Sequence, residues 1–229
     1  MLKHPRIQHE SKTRGNAWLV LTLVLQVFAS SLALAIVMHT ALAQEPDVIV
    51  ALGDSLTAGY GLSTEEGFVS RLHVALKAAG RLVRVVNAGV SGDTSAGGRA
   101  RLDWALAEHP DLVIVELGAN DALRGLNPAS TYDNLDNIIT RIRALDIEVL
   151  LTGMLAPPNL GRRYSEDFRS VYTRLATKHD VILYPFFLDG VAAERSLNQP
   201  DGLHPNAAGV DIIVEGIRPY VLRALDEVH

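Results

Sequence analysis

Ser55 follows the apolar, β-branched run Val48-Ile49-Val50-Ala51-Leu52 and stands between Gly53-Asp54 and a stretch of small residues that ends in Gly59-Tyr60-Gly61. Such a run reads as a buried strand that stops abruptly, which puts the serine hydroxyl at a strand's carboxyl end. In an open parallel sheet that edge is where ligands bind. A serine is a poor nucleophile until a neighbouring histidine takes its proton. The histidine in turn works best when a carboxylate fixes its tautomer and stabilises the imidazolium. Asp201-Gly202-Leu203-His204-Pro205 supplies both groups. An aspartate three residues before a histidine on a tight turn can set carboxylate beside imidazole, and Pro205 suits the start of a following helix. The chemistry within reach is acyl transfer to Ser55, with His204 as base and then acid and Asp201 as its orienting partner.

The elements that must position these groups alternate along the chain. After the opening strand, Phe68, Leu72, Ala75, Leu76 and Ala79 recur at helical spacing, with Gly80 as a stop. A second strand is expected over Leu82 to Val86, with Asn87 to Gly92 as its exit loop, and then one helix from Thr94 to Glu108. Leu112 to Leu117 reads as a third strand covered on both faces, interrupted by Glu116, which needs a partner that the sequence does not identify. Asn127-Pro128 has the form of a helix start, and Leu135, Ile138, Ile139, Ile142 and Leu145 continue it as an amphipathic stripe. A fourth strand over Glu148 to Thr152, a helix through Phe168, Val171, Tyr172 and Leu175, and a fifth strand over Val181 to Leu183 follow. The last helix begins near Pro205 or Asn206 and carries Ile213, Ile217 and Val221, with Pro219 expected to kink or end it. This alternation predicts an α/β fold: about five parallel strands between two layers of helices. Ser55, Gly92 and Asn120 follow the first three strands, so parallel strands deliver all three to one crevice.

Four ordered blocks carry a resemblance. Gly53-Asp54-Ser55-Leu56, Gly92 within Asn87-Ala88-Gly89-Val90-Ser91-Gly92-Asp93-Thr94, Gly118-Ala119-Asn120-Asp121, and Asp201 to His204 resemble the blocks of the SGNH (GDSL-type) hydrolases. Within that family the chain is most similar to the bacterial arylesterase, acyl-CoA thioesterase I and lysophospholipase L1 group. The likeness runs from about Asp47 to the C-terminus and takes in Gly161-Arg162-Arg163-Tyr164 and Tyr184-Pro185-Phe186-Phe187. The resemblance implies a three-layer α/β/α sandwich of flavodoxin-like type. It also implies a serine hydrolase of carboxylic esters and thioesters such as aryl esters, acyl-CoA thioesters or lysophospholipids, needing no cofactor or metal. It further implies an oxyanion hole made by the backbone N–H groups of Ser55 and Gly92 and the side-chain amide of Asn120. Glycine lets a backbone approach closely, and an asparagine amide donates without a charge to desolvate.

Substrate contacts are expected from the loops after the third and fourth strands. Leu123 and Arg124 lie in the first, and Met154, Leu155 and Pro157 in the second, where apolar side chains would hold an acyl tail. Arg124, Arg162 and Arg163 could meet a phosphate-bearing leaving group. Each block taken alone has a plainer use: Ser55 as a helix cap, Gly92 as a turn, Asn120 and Asp121 as caps, Asp201 and His204 as turn residues. Asp54 and Asp93 are read as hydrogen-bonding loop residues, and His73, His109 and His179 as solvent-facing. A carbohydrate O-deacetylase sharing the same blocks and an exported binding module that has lost catalysis are the alternatives. No Gly-x-Ser-x-Gly elbow, Walker sequence or His-Glu-x-x-His occurs, and Thr64 stands where a dinucleotide fingerprint beginning at Gly59 needs its third glycine.

The ends and the composition complete this picture. Lys3, Arg6, Lys12 and Arg14 precede an uncharged run from Ala17 to Val37, and Ala41-Leu42-Ala43 follows. A basic region, an apolar region and a small-x-small site are the parts of a signal peptide cut after Ala43, which leaves residues 44–229 as one hydrolase domain in the periplasm or outside the cell. The apolar run is long enough to compete as an uncleaved anchor, the one route by which this chain would hold to a membrane. The 229 residues include no cysteine, which excludes disulfides, thiolate metal sites and a thiol nucleophile. Setting aside the four basic residues and Glu10 of the first segment leaves 17 lysines and arginines against 25 acidic residues, a charge near −8. Such a domain is a poor nucleic-acid binder.

Overall fold

The computed structural model describes Gln26 and residues 45–228. The proposed signal peptide lies outside the described residues apart from Gln26. The chain divides into Met1–Glu45 and Pro46–His229, and the elements below belong to the second unit. Among the described residues no helix is long and apolar enough to cross a membrane.

Five strands, β1 (Asp47–Gly53), β2 (Val83–Gly89), β3 (Leu112–Glu116), β4 (Glu148–Thr152) and β5 (Ile182–Tyr184), form one sheet in the order β2-β1-β3-β4-β5. Every pairing is parallel. The helices are α1 (Ser55–Ala58), α2 (Phe68–Ala78), α3 (Ser95–Ala100), α4 (Leu102–Leu106), α5 (Ala119–Leu123), α6 (Pro128–Arg143), α7 (Arg162–His179) and α8 (Ala207–Val228). One face of the sheet is covered by α2 and α8, which also pack on each other, and the other by α6 and α7 with α3 beside α6. This is the expected three-layer sandwich. The central strands β1 and β3 are apolar and almost fully buried because both of their faces meet helices.

Three local expectations are corrected. β2 runs on to Gly89 because Asn87, Ala88 and Gly89 pair with Ala51, Leu52 and Gly53, residues of poor strand propensity being held by the neighbouring strand. The expected helix from Thr94 to Glu108 breaks at Arg101, whose guanidinium turns inward to Asp93, the Ala88 carbonyl and the Gly53 carbonyl. Pro219 does not end the last helix, which spans 22 residues from Ala207 to Val228. Glu215 and Pro219 lie on its exposed side, and buried Ile213, Ile217, Val221, Ala224 and Leu225 hold the helix to the sheet.

Gly53 closes β1 where nothing larger fits. A Cβ there would lie 2.0 Å from the Thr57 hydroxyl and 2.6 Å from a Glu116 carboxylate oxygen. The turn into α1 therefore packs directly on the end of β3. Gly53→Ala is expected to destabilise the domain by about 1–3 kcal/mol, as overpacked cores do, in urea unfolding monitored by circular dichroism. An unchanged midpoint would show that Thr57 and Glu116 yield to a methyl group without cost.

Candidate active site

Three exit loops and one turn meet above the ends of β1 and β3. Asp54 caps the first of them, its Oδ1 accepting from the Leu56 N–H at 3.0 Å, so Ser55 opens α1 with a side chain that is only partly buried. The Ser55 N–H is one of the first-turn donors that have no acceptor within the helix. The Ser55 hydroxyl lies 2.9 Å from His204 Nε2, and His204 Nδ1 lies 2.7 Å from Asp201 Oδ2. Serine, imidazole and carboxylate thus stand in one hydrogen-bonded line.

The turn that bears the last two is fixed from several sides. Asp201 Oδ1 accepts from the backbone N–H groups of Leu203 at 2.9 Å and His204 at 3.0 Å. Those bonds, with the His204 N–H first and its ring next, hold the Asp201 carboxyl down at about 2. An ionised Asp201 requires Nδ1 to carry the proton, which leaves Nε2 free to accept the serine proton. The Tyr60 ring covers the imidazole, with centroids 4.6 Å apart. Gln199 binds both segments: its N–H donates to the His204 carbonyl at 2.7 Å, and its side-chain amide donates to the carbonyls of Tyr60 at 2.7 Å and Pro205 at 2.9 Å.

Gly92 lies on the loop after β2 with φ of 84°, a conformation that favours glycine, and its N–H has no acceptor among the described residues. Asn120 lies in α5 after β3, and its amide donates to Asp54 Oδ2 at 3.0 Å. The following residue, Asp121, is buried and accepts from the Ser95 N–H at 2.7 Å and the Thr131 hydroxyl at 3.0 Å, which ties α5 to the starts of α3 and α6. Asp54 is buried as well. Burial raises its carboxyl to about 6 against the pull of the Leu56 N–H and the Asn120 amide. Glu116, isolated in the sequence, finds its partners in the Thr57 hydroxyl and the Asp54 N–H.

An apolar groove of about 300 Å³ opens at Ser55. Leu123, Met154, Leu155 and Pro157 line it, together with Leu56, Phe186 and Leu203, which carry no substrate role in the sequence reading. Arg124 is not among the lining residues. Its guanidinium donates to the Gly92 carbonyl at 2.8 Å and so holds the loop that carries Gly92. Arg162 and Arg163 are exposed and pair along α7 with Glu166 and Asp167. His179 also departs from its solvent-facing assignment, since its Nε2 meets Asp136 at 2.6 Å and its side chain is 12% exposed. Tyr60, Gln199, Arg101 and Asp121 escaped sequence reasoning because their roles rest on long-range contacts with no local pattern. Among the described residues no His, Cys, Asp and Glu side chains gather into a metal-binding group.

The GDSL-like Lipase/Acylhydrolase family model matches residues 51–212. The chain is 43% identical over 194 residues to Esterase TesA of Pseudomonas aeruginosa, covering 84% of this chain and 95% of the relative. It is 42% identical over 174 residues to Thioesterase 1/protease 1/lysophospholipase L1 of Escherichia coli K12, covering 76% and 82%. A crystal structure of the psychrotrophic esterase EstA from Pseudoalteromonas sp., inhibited by monoethylphosphonate, superposes with a TM-score of 0.75 at 35% identity, covering 79% of this chain and 99% of that one.

The two site aspartates shift in opposite directions, which gives stability a readable pH dependence. Asp54 ionises near 6 in the fold and near its ordinary 3.8 when unfolded. The folded state therefore binds more protons between these values, and this group's contribution is complete below about pH 4 and lost as pH rises through 6. Asp201 behaves conversely: its contribution is present above the ordinary carboxylate range and lost as pH falls towards 2. The stability of Asp54→Asn relative to the unaltered chain is expected to improve between pH 4 and pH 7, by up to about 3 kcal/mol in urea unfolding. A difference that stays constant with pH would place Asp54 among ordinary solvated carboxylates.

Proposed function

The chain belongs to the GDSL-like lipase/acylhydrolase family, and from that premise we propose that Ser55, His204 and Asp201 carry its ester cleavage, with Ser55, Gly92 and Asn120 as the oxyanion hole. The enzyme is a serine hydrolase of carboxylic esters and thioesters. The observation that carries the residue assignment is the unbroken line Ser55 Oγ, His204 Nε2, His204 Nδ1, Asp201 Oδ2, standing at the mouth of an apolar groove.

The reaction follows from that line. His204 Nε2 takes the Ser55 proton as Oγ attacks the carbonyl carbon, and the carbonyl oxygen gains a full negative charge. The Ser55 and Gly92 N–H groups and the Asn120 amide stabilise that charge without having to reorganise. The imidazolium, facing an ionised Asp201, then gives its proton to the departing alcohol or thiol, and an acyl-serine remains. Water enters, His204 activates it, and a second tetrahedral intermediate collapses to release the acid and regenerate Ser55.

The substrate class we propose is a single-chain acyl ester or thioester: an aryl ester, an acyl-CoA or a lysophospholipid. Support comes from the groove, whose walls are chiefly leucine, alanine and proline with one methionine and one phenylalanine, and from the names of the relatives. An apolar channel of this size accepts one hydrocarbon chain and offers few polar partners to a sugar. We also propose that residues 1–43 direct the domain to the periplasm or beyond the cell and are removed there.

Ser55→Ala and His204→Ala are each expected to lower kcat on an aryl ester by about 10⁴-fold or more, and Asp201→Asn by about 10⁴-fold. Asn120→Ala is expected to cost about 10²–10³-fold. A fluorophosphonate should label the unaltered chain at Ser55 and leave Ser55→Ala unlabelled. Turnover near the unaltered level in purified Ser55→Ala would refute the assignment. For the leader, N-terminal sequencing of the exported protein should begin at Gln44, and a sequence beginning at Met1 would show that no cleavage occurs.

A further inference from the structure

Glu116 ends β3 fully buried, after four apolar residues. Its Oε2 accepts from the Thr57 hydroxyl at 2.8 Å and from the Asp54 N–H at 3.3 Å, and its Oε1 has no partner among the described residues. The peptide joining Gly53 to Asp54 is thereby gripped on both edges, because Arg101 Nη2 donates to the Gly53 carbonyl at 2.8 Å. Asp54 is as deeply buried as Glu116 and uses both oxygens, Oδ1 on the Leu56 N–H and Oδ2 on the Asn120 amide. An amide nitrogen carries two hydrogens, so the one taken by Asp54 leaves the second for an oxyanion.

The surroundings decide how much charge this pair can hold. Arg101 is committed to Asp93 through Nε and to backbone carbonyls through its other nitrogens. His204 approaches Asp54 from the turn before α8, and Tyr172 of α7 donates its hydroxyl to the Leu117 carbonyl. Among the described residues no cation contacts either carboxyl, and two adjacent buried carboxylates cannot both stay ionised. A second negative charge there would also oppose the negative charge that the reaction must develop nearby.

We propose that Glu116 is a positioning residue for the oxyanion donor, acting in its acid form: it holds the Asp54 backbone and leaves the pair's single negative charge on Asp54, which orients Asn120. The inference rests on the assignment of Asn120 to the oxyanion hole made above. Burial first, and then the charge of Asp54, push the Glu116 carboxyl well above the usual carboxylate range, in keeping with this arrangement. A glutamine at position 116 can reproduce it, accepting from Thr57 and the Asp54 N–H through its oxygen while carrying no charge. Alanine cannot, and it leaves both donors unpaired in the core.

The full chain provides two readouts. Infrared spectra at pH 7 are expected to show the carbonyl stretch of a buried protonated carboxylic acid that disappears in Glu116→Gln. Absence of the band, or its survival in that variant, overturns the proposal irrespective of activity. In aryl-ester kinetics Glu116→Ala is expected to lower kcat about tenfold or more with KM within about twofold, as misplacement of a transition-state donor does. Glu116→Gln is expected to recover at least about a third of the original kcat. Equal losses in the two variants, or a loss carried by KM, overturn the proposal. The infrared comparison and Glu116→Gln need only the isosteric change, so they decide the matter even where Glu116→Ala does not fold. Failure of the underlying assignment looks different: Asn120→Ala would then keep a kcat on the aryl ester near that of the unaltered chain.

Discussion

The strand order reverses beside β1, and the rest of the site depends on that reversal. From β1 the chain moves outward to β2, and from β3 it moves the other way through β4 to β5. Right-handed crossovers on opposite faces leave a crevice above the carboxyl ends of β1 and β3 that neither set of helices closes. Ser55 comes from one side of that crevice and Asn120 from the other, and Gly92 approaches from the edge strand. The imidazole cannot come from any of these strands. It arrives on the turn that precedes α8, and its bond to Ser55 joins residues 149 positions apart. Gln199 and Tyr60 make that long-range meeting specific, one binding the backbone of both segments and the other lying against the ring.

Holding such loops close together requires polar groups in places where water cannot reach. Asp54, Glu116 and Asp121 are all buried immediately behind the crevice, and each accepts hydrogen bonds from neighbouring loops and helices. An apolar core at these positions would be cheaper, because buried carboxyls lose their hydration and recover only part of it in hydrogen bonds. What they provide in return is direction. A leucine at 121 could fill space between α3, α5 and α6, but it could not specify which backbone N–H of α3 faces α5. The same reasoning applies to Arg101, which breaks a helix so that its guanidinium can hold the ends of β1 and β2 together.

The fold was readable because its signals are local. Apolar runs of five or six residues, helical stripes such as Leu135, Ile138, Ile139 and Ile142, and the Asn127-Pro128 start each announce an element without reference to the rest of the chain. The hydrogen-bonded line of Ser55, His204 and Asp201, proposed as a triad, was readable for a different reason: its residue types and order are rarely assembled for any other purpose. Errors fell where a distant contact overrides a local preference. Asn87 to Gly89 became strand because β1 pairs with them, and the helix after Thr94 broke because Arg101 has acceptors on two other strands. Pro219 did not end α8 because buried neighbours outweigh one missing backbone bond. Arg124, expected among the substrate contacts, meets a carbonyl on a loop whose position no local pattern discloses.

Two aspartates near one imidazole show why residue type alone does not assign a role. Asp201 lies on an exposed turn, where two backbone N–H groups and the His204 ring favour the charged form, so it stays anionic across any ordinary working pH. Asp54 sits in the core beside a second carboxyl, and burial works against its charge. Only the first can face a transient imidazolium with a constant charge. The second is better placed to hold an amide, a task that needs a well-placed acceptor more than a permanent ion. The environments push the two groups apart, and in the proposed mechanism that separation gives the two carboxylates different tasks: one steadies the proton carrier, and the other aims the donor at the oxygen that becomes negative.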